Sequence, residues 1–205
     1  MPTQTRSNGR ASRQAILDRG LQLTAHGGLP AASIGALAAA LGMSKSAVFA
    51  HFGSKPALDV ALLDAAVTRF ERQVIAPAGS APAGVARLVA LSEGWLAQVS
   101  TGDQGLALLT AWCAHSLTAP RQTLIAWRRT WRAALDAQAS AAVSAGELAG
   151  NAPVALIAFE CDAVLTAAAR DADEGDSAAG DRARYAIEHV LRRWSASDPT
   201  PPATR

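Results

Sequence analysis

Apolar positions recur at helical spacing along most of the chain. Between Ser12 and His26 the stripe is Ala15, Ile16, Leu17, Leu21, Leu23 and Ala25, ended by Gly27-Gly28, with Pro30 in the loop that follows. Ser33 is placed to N-cap a short helix carrying Ile34, Leu37, Ala38 and Leu41. Gly42 breaks that helix, and Ser44 is placed to cap a second one running through Phe49 or His51. After Gly53-Ser54, Lys55-Pro56 opens a long amphipathic helix through Leu58, Leu62, Leu63, Ala66 and Phe70 to about Ile75, with proline suited to its first turn. The stretch Pro77 to Pro82 is rich in helix breakers. Beyond it the pattern predicts helices near 83–100, 104–116, 120–146, 152–172 and 178–195, about nine helices in all and no internal repeat. The last residues, 197–205, contain three prolines and are expected to be a disordered tail.

Composition agrees with a helical reading. Of 205 residues half are hydrophobic and only 5% aromatic, and alanine supplies about a quarter, which favours helix over sheet. The two cysteines, Cys113 and Cys161, cannot build a disulfide framework and suit a reducing cytoplasm. No apolar run reaches the roughly 18 residues of a membrane span, and Met1 to Arg10 is polar, without the apolar stretch of a signal peptide. The fold class expected is all-α, soluble and cytoplasmic.

Charge divides the chain. Residues 1–60 hold Arg6, Arg10, Arg13, Arg19, Lys45 and Lys55 against Asp18 and Asp59, so that segment is +4; the whole chain is +2, which leaves −2 for the rest. A basic head that meets a polyanion and a body with another task would give this split. The chain has 17 arginines but two lysines, Lys45 and Lys55, so the head uses compact point charges where the rest uses guanidinium forks.

Within the head, residues 33–52 read as a helix, a tight turn and a second helix. Ala38 is small where two helices cross, Gly42 permits a left-handed turn, and Met43 and Val48 can fill the core. This is the grammar of a helix-turn-helix, whose second helix enters the DNA major groove. A helical hairpin that merely contains glycine is the plainer alternative.

The stretch from Arg13 to Leu63 resembles the N-terminal domain of TetR/AcrR-type transcriptional regulators, in register without a gap. The resemblance rests on Ile16-Leu17, Gly28, Ser33, Ile34, Leu37-Ala38, Leu41-Gly42-Met43-Ser44, Val48-Phe49, His51-Phe52, Ser54-Lys55 and Leu58. It implies a three-helix DNA-binding head, here 1–55 with a flexible N-terminal arm, and a helical effector-binding and dimerisation body, here 56–196. It also implies roles. Ser33 and Ser44 would contact phosphates from helix N-termini, Lys45 and Ser46 would face bases, Ala47 would approach a thymine methyl, and His51 and Lys55 would hold the DNA backbone.

The sequence departs from the family in three places. Phe49 stands where the family usually has tyrosine, so a phosphate hydrogen bond is lost while apolar packing is expected to survive. Gly35 and Ala50 carry no reader. Modest discrimination per half-site follows, with Arg6 and Arg10 of the arm expected to reach a minor groove.

In the body, the helix near 152–172 is apolar nearly all round and the one near 178–195 offers Tyr185, Ile187, Val190, Leu191 and Trp194. The resemblance makes these the homodimer seam, for which the alternative is an ordinary monomer core. Trp95, Trp112, Trp127 and Trp131, with Phe159, are candidate lining for a small apolar or aromatic effector, against a plainer role in core packing. Cys113, His115 and the Cys161-Asp162 pair have no metal-site spacing, and no cofactor is expected. The chain contains no G-x-S-x-G, Walker loop, G-x-G-x-x-G or H-E-x-x-H, so no enzyme is expected. The function expected is a ligand-responsive regulator, in the family's usual repressor role, binding a palindromic operator in double-stranded DNA as a dimer. The alternative is a helical interaction protein that keeps the head but has lost operator binding.

Overall fold

The computed structural model describes residues 3–101 and 120–196. All regular structure among the described residues is helical, apart from one isolated bridge between Leu148 and Ser195. The chain divides into two compact units, residues 1–69 with 103–125 and residues 70–102 with 126–205.

The first unit opens with α1, Thr3–Ala31, which leaves helical geometry at Gly28 (φ 60°, ψ −166°) before a last turn through Pro30. A stop at Gly27-Gly28 was therefore legible, but the start was not. No proline lies between Pro2 and Pro30, so nothing forbids helix upstream of Ser12. Residues 3–10, expected as a flexible arm, are helical, and Arg6 and Arg10 lie one turn apart in that helix. Then come α2, Ile34–Leu41, α3, Lys45–Phe52, and α4, Lys55–Phe70. Ile16, Leu17 and Leu21 of α1, Leu37 of α2, Val48 of α3 and Leu58, Leu62 and Leu63 of α4 form the buried core of this unit. Gly20 lets α1 and α4 approach, since a Cβ there would lie 2.4 Å from Leu62 Cδ2.

In the second unit the chain passes from Phe70 through a π-helical turn, Glu71–Ile75, into a last turn, Ala76–Ala78. α5, Val85–Ser100, follows. α6 is Pro120–Ser144, most of which belongs to this unit, and α7, Val154–Asp173, and α8, Ala179–Arg193, complete it. These bounds lie within two residues of the expected helices; the one near 104–116 lies outside the described residues. The turn after α6 is tied down by the chain end: Ala149 N–H donates to the Trp194 carbonyl at 2.8 Å and Ala196 N–H to that of Glu147 at 3.2 Å. The Glu147 carboxylate in turn accepts from Val85 N–H at 2.7 Å and so caps α5.

Candidate functional site

The head is built by side-chain caps and one left-handed turn. Helices of eight residues are too short to be stable alone, so their free N–H groups need partners. Ser33 Oγ accepts from Ala36 N–H at 3.0 Å, and Ser44 Oγ accepts from Ala47 N–H at 3.1 Å. Gly42 closes α2 with φ 64°, a conformation that costs other residues a Cβ clash, and its position lets Met43 N–H donate to the Ala38 carbonyl at 2.9 Å. Val48 is fully buried and fixes the roll of α3. That roll leaves Ser44, Lys45, Ser46, Phe49 and Ala50 exposed, with Ala47 and His51 half-buried. All eight expected DNA-facing residues except Lys55 lie at the α2 cap or on α3.

Two features of this surface differ from the expectation. Phe49 does not pack inward; its ring is 50% exposed on the face of α3, where burial of Val48 turns it outward. Lys55 is not an open cation. Its ammonium donates to the carbonyls of Leu29 (2.8 Å) and Ala32 (3.0 Å) and pairs with Asp59, one turn along α4. All three protons are thus committed to closing the end of α1 and the loop after it. Nearby, the Arg13 guanidinium lies 5.0 Å over the Phe52 ring, joining α1 to α3.

The second unit has an aromatic centre. Phe70 meets Trp95, Trp127 and Trp131 edge-on, with ring centroids 5.5, 5.5 and 5.3 Å away, and Trp95 lies 6.1 Å from Trp127 and 5.0 Å from Trp131. All four rings are buried. Edge-to-face contact sets the positive rim of one ring against the negative face of the next. Trp95 Nε1 donates to the Leu165 carbonyl at 3.1 Å, and Trp131 Nε1 to Asp162 Oδ1 at 3.1 Å. Trp127 Nε1 is buried and has no acceptor among the described residues.

The structure thus gathers Trp95, Trp127 and Trp131 and adds Phe70. Phe159 does not join them: it is 53% exposed, with the Arg132 guanidinium 5.4 Å over its ring. Trp112 lies outside the described residues, as do Cys113 and His115.

Asp162 was an unexpected centre. Buried in the apolar face of α7, it accepts from Trp131 Nε1, from Arg128 at 2.9 Å and from Arg132 Nε at 3.1 Å. A buried carboxylate is tolerated only when so surrounded. The signal available in sequence was an acid within an apolar helix, together with arginines flanking Trp127 and Trp131. Cys161 beside it is fully buried, and burial first, then Glu160 and Asp162, pushes its thiol up to about 12. A thiol so held stays protonated at neutral pH. A cleft of about 620 Å³ lies elsewhere in this unit, floored by Val85, Val89, Leu96, Leu148, Ile187 and Leu191. The Glu93–Arg184 pair stands on its rim at 3.0 Å. Among the described residues no three metal-ligating side chains gather, and no helix is long and apolar enough to cross a membrane.

The head is a capped helix-turn-helix, and the second unit is helical with an aromatic centre. Residues 16–62 match the family described as bacterial regulatory proteins, tetR family. The match is confined to this head and makes residues 16–62 similar to the tetR-family domain.

The whole fold is shared as well. A TetR transcriptional regulator from Chloroflexus aurantiacus J-10-FL superposes with TM-score 0.79 at 17% identity, covering 91% of this chain and 95% of that one. SCO4454 from Streptomyces coelicolor, a TetR-family regulator, gives 0.76 at 21% over 92% and 97%. AibR, solved with isovaleryl coenzyme A and operator DNA, gives 0.73 at 18% over 90% and 98%. Among curated proteins none matches the chain.

Proposed function

We propose that this protein is a ligand-responsive transcriptional repressor that binds a palindromic operator as a homodimer and leaves it when a small apolar effector enters the body. The observation that carries the reading is the exposed face of α3, with Ser44, Lys45, Ser46, Ala47, Phe49 and His51 presented by a helix capped and rolled as a recognition helix must be. Dimerisation is supported by α7 and α8, whose surfaces carry the exposed side chains Leu156, Phe159 and Tyr185. An apolar face of this kind on two adjacent helices suits a two-fold contact.

For the effector, the tryptophan centre is the proposed site. Trp127 Nε1 offers a buried donor without an acceptor among the described residues, which a ligand carbonyl or hydroxyl would satisfy. Phe70 is the last residue of α4 and touches three tryptophans. A ligand that displaces it acts directly on the helix whose first residue, Lys55, ties down α1. Such a ligand works only if it binds the DNA-released state more tightly. AibR, captured with both an acyl-CoA and operator DNA, supports a small effector for this fold.

The test is fluorescence anisotropy at physiological salt, comparing the duplex upstream of the protein's own gene, or one selected from random sequence, with a shuffled duplex. A preference of about 10³ or more supports an operator-reading regulator. Equal, weak binding to every duplex would instead favour a helical interaction protein that keeps the head.

A further inference from the structure

The cleft of about 620 Å³ in the second unit lies apart from the tryptophan centre. Its walls are α5, α8 and the turn at Glu147-Leu148, all within one unit, and no ring of the aromatic centre lines it. Leu96, Ile187 and Leu191 are buried at its floor, while Val89, which also lines it, is 39% exposed. Its volume falls in the range that holds a small organic molecule. Apolar walls of this kind select an apolar body, and the polar groups around them select its head.

Those polar groups are acceptors. Ser92 is buried in the lining, and its hydroxyl donates to the Leu88 carbonyl at 3.0 Å, so any further bond it makes is as an acceptor. The two guanidiniums of the lining are already matched. Arg184 Nε donates to both Glu93 oxygens at 3.0 Å and its Nη1 donates to Asp181 at 2.9 Å, while Arg192 pairs with Glu188. Glu147 is matched differently. Its partner is the Val85 N–H at 2.7 Å, a neutral donor, and it has no cation among the described residues. A Cβ on Gly84 would run into this carboxylate, so glycine there is what lets it lie at the start of α5. With Glu93, Glu147 and Glu188 against Arg184 and Arg192, the lining carries one net negative charge.

We propose that this cleft is a second ligand site, for a small amphipathic cation whose ammonium donates to Glu147 and whose apolar tail lies on Val89, Leu96, Ile187 and Leu191. A charge-assisted bond from an ammonium completes the one carboxylate of the lining that no guanidinium holds. An anion would instead have to displace Glu93 or Glu188 from its arginine. The site is separate from the effector site proposed at the tryptophan centre and does not depend on DNA binding.

The test is calorimetric titration of the full chain at neutral pH with octylamine, 1-octanol and octanoate, which share one tail and differ in the charge of the head. Octylamine should bind about tenfold more tightly than octanol, and octanoate more weakly than either. Glu147→Gln keeps a carbonyl oxygen for the Val85 N–H and removes the charge, so it should bring octylamine to the level of octanol and leave octanol unchanged. Val89→Trp places bulk in the cleft from a position already partly exposed and should abolish binding of both. Thermal melts of each variant keep folding apart from binding. Should Glu147→Gln fold poorly, high salt on wild type serves in its place, since it should narrow the gap between amine and alcohol. Octanoate binding as tightly as octylamine, an amine preference that survives both Glu147→Gln and high salt, or no binding of any probe would overturn the proposal. Octylamine binding that Val89→Trp leaves intact would place the amine elsewhere and overturn it as well.

Discussion

The helix-turn-helix and the tryptophan centre solve opposite problems with the same kind of element. In the head, the residues proposed to meet DNA are exposed, and the fold stands on other residues behind them: Leu37, Val48, Leu58 and Leu62. In the body, the residues proposed to meet an effector are themselves the core, since Trp95 and Trp131 are among the largest fully buried side chains. Recognition of a large, rigid polyanion needs a surface that exists before binding. Recognition of a small apolar molecule needs a place inside, and here that place is held by packed rings. Function and stability are therefore separable in the head and inseparable in the body.

The sharpest way to break that contrast is Trp131→Ala. It removes a buried ring, its contacts with Phe70 and Trp95, and the donor to Asp162, and should cost about 3–5 kcal/mol in chemical denaturation. A cost below about 1 kcal/mol would mean that the centre yields easily and is not a core. Asp162→Ala comes next. It strands the Trp131 N–H and releases two half-exposed arginines, for an expected loss of about 2–3 kcal/mol by the same measurement. Full stability in that variant would show that the carboxylate serves only the surface.

Cys161 gives a pH test of how closed the body is. Its thiol is raised from 9.0 in the unfolded chain to about 12 in the folded protein. The folded state therefore keeps a proton that the unfolded state loses. This stability is whole below pH 9 and falls between about 9 and 12, by about 1.4 kcal/mol per pH unit at most. Subtracting the stability curve of Cys161→Ala isolates the slope, and parallel curves would show that the thiol is in contact with water. The smallest effect belongs to the head. Ser44→Ala removes the α3 cap and should cost about 1 kcal/mol in a thermal melt while weakening DNA binding far more than that loss explains. If binding and stability fell in strict proportion, the head would not be separable after all.

Legibility followed the same division. Ser33, Gly42, Ser44 and Gly53 mark the ends of α2 and α3 within the sequence itself, because a cap or a left-handed turn is a local device made by one residue and its near neighbours. The body helices were legible in their bounds, since Pro120, Pro153 and Gly175 interrupt an apolar rhythm. The start of α1 was not, as a polar stretch with no proline is compatible with arm or helix alike. What each body residue faces was not legible either. Trp127 and Trp131 share a helical face with each other in any helix, but whether Phe70 or Phe159 completes their cluster depends on which helix lies opposite.

The sequence by itself determined a helical chain, the helix-turn-helix with its capped and broken ends, the basic bias of the head and that head's resemblance to a known family. These are properties of spacing and of single residues. Only the tertiary structure decided that Lys55 is tied to α1, that Gly35 lies against the stem of Lys45 from another helix, that Phe49 turns outward and Phe159 stays at the surface, and that Asp162 gathers two arginines and a tryptophan. Each of these is a contact between groups far apart in the chain or on different helices. Such contacts are set by the roll and approach of packed helices, which helical periodicity constrains only to a face.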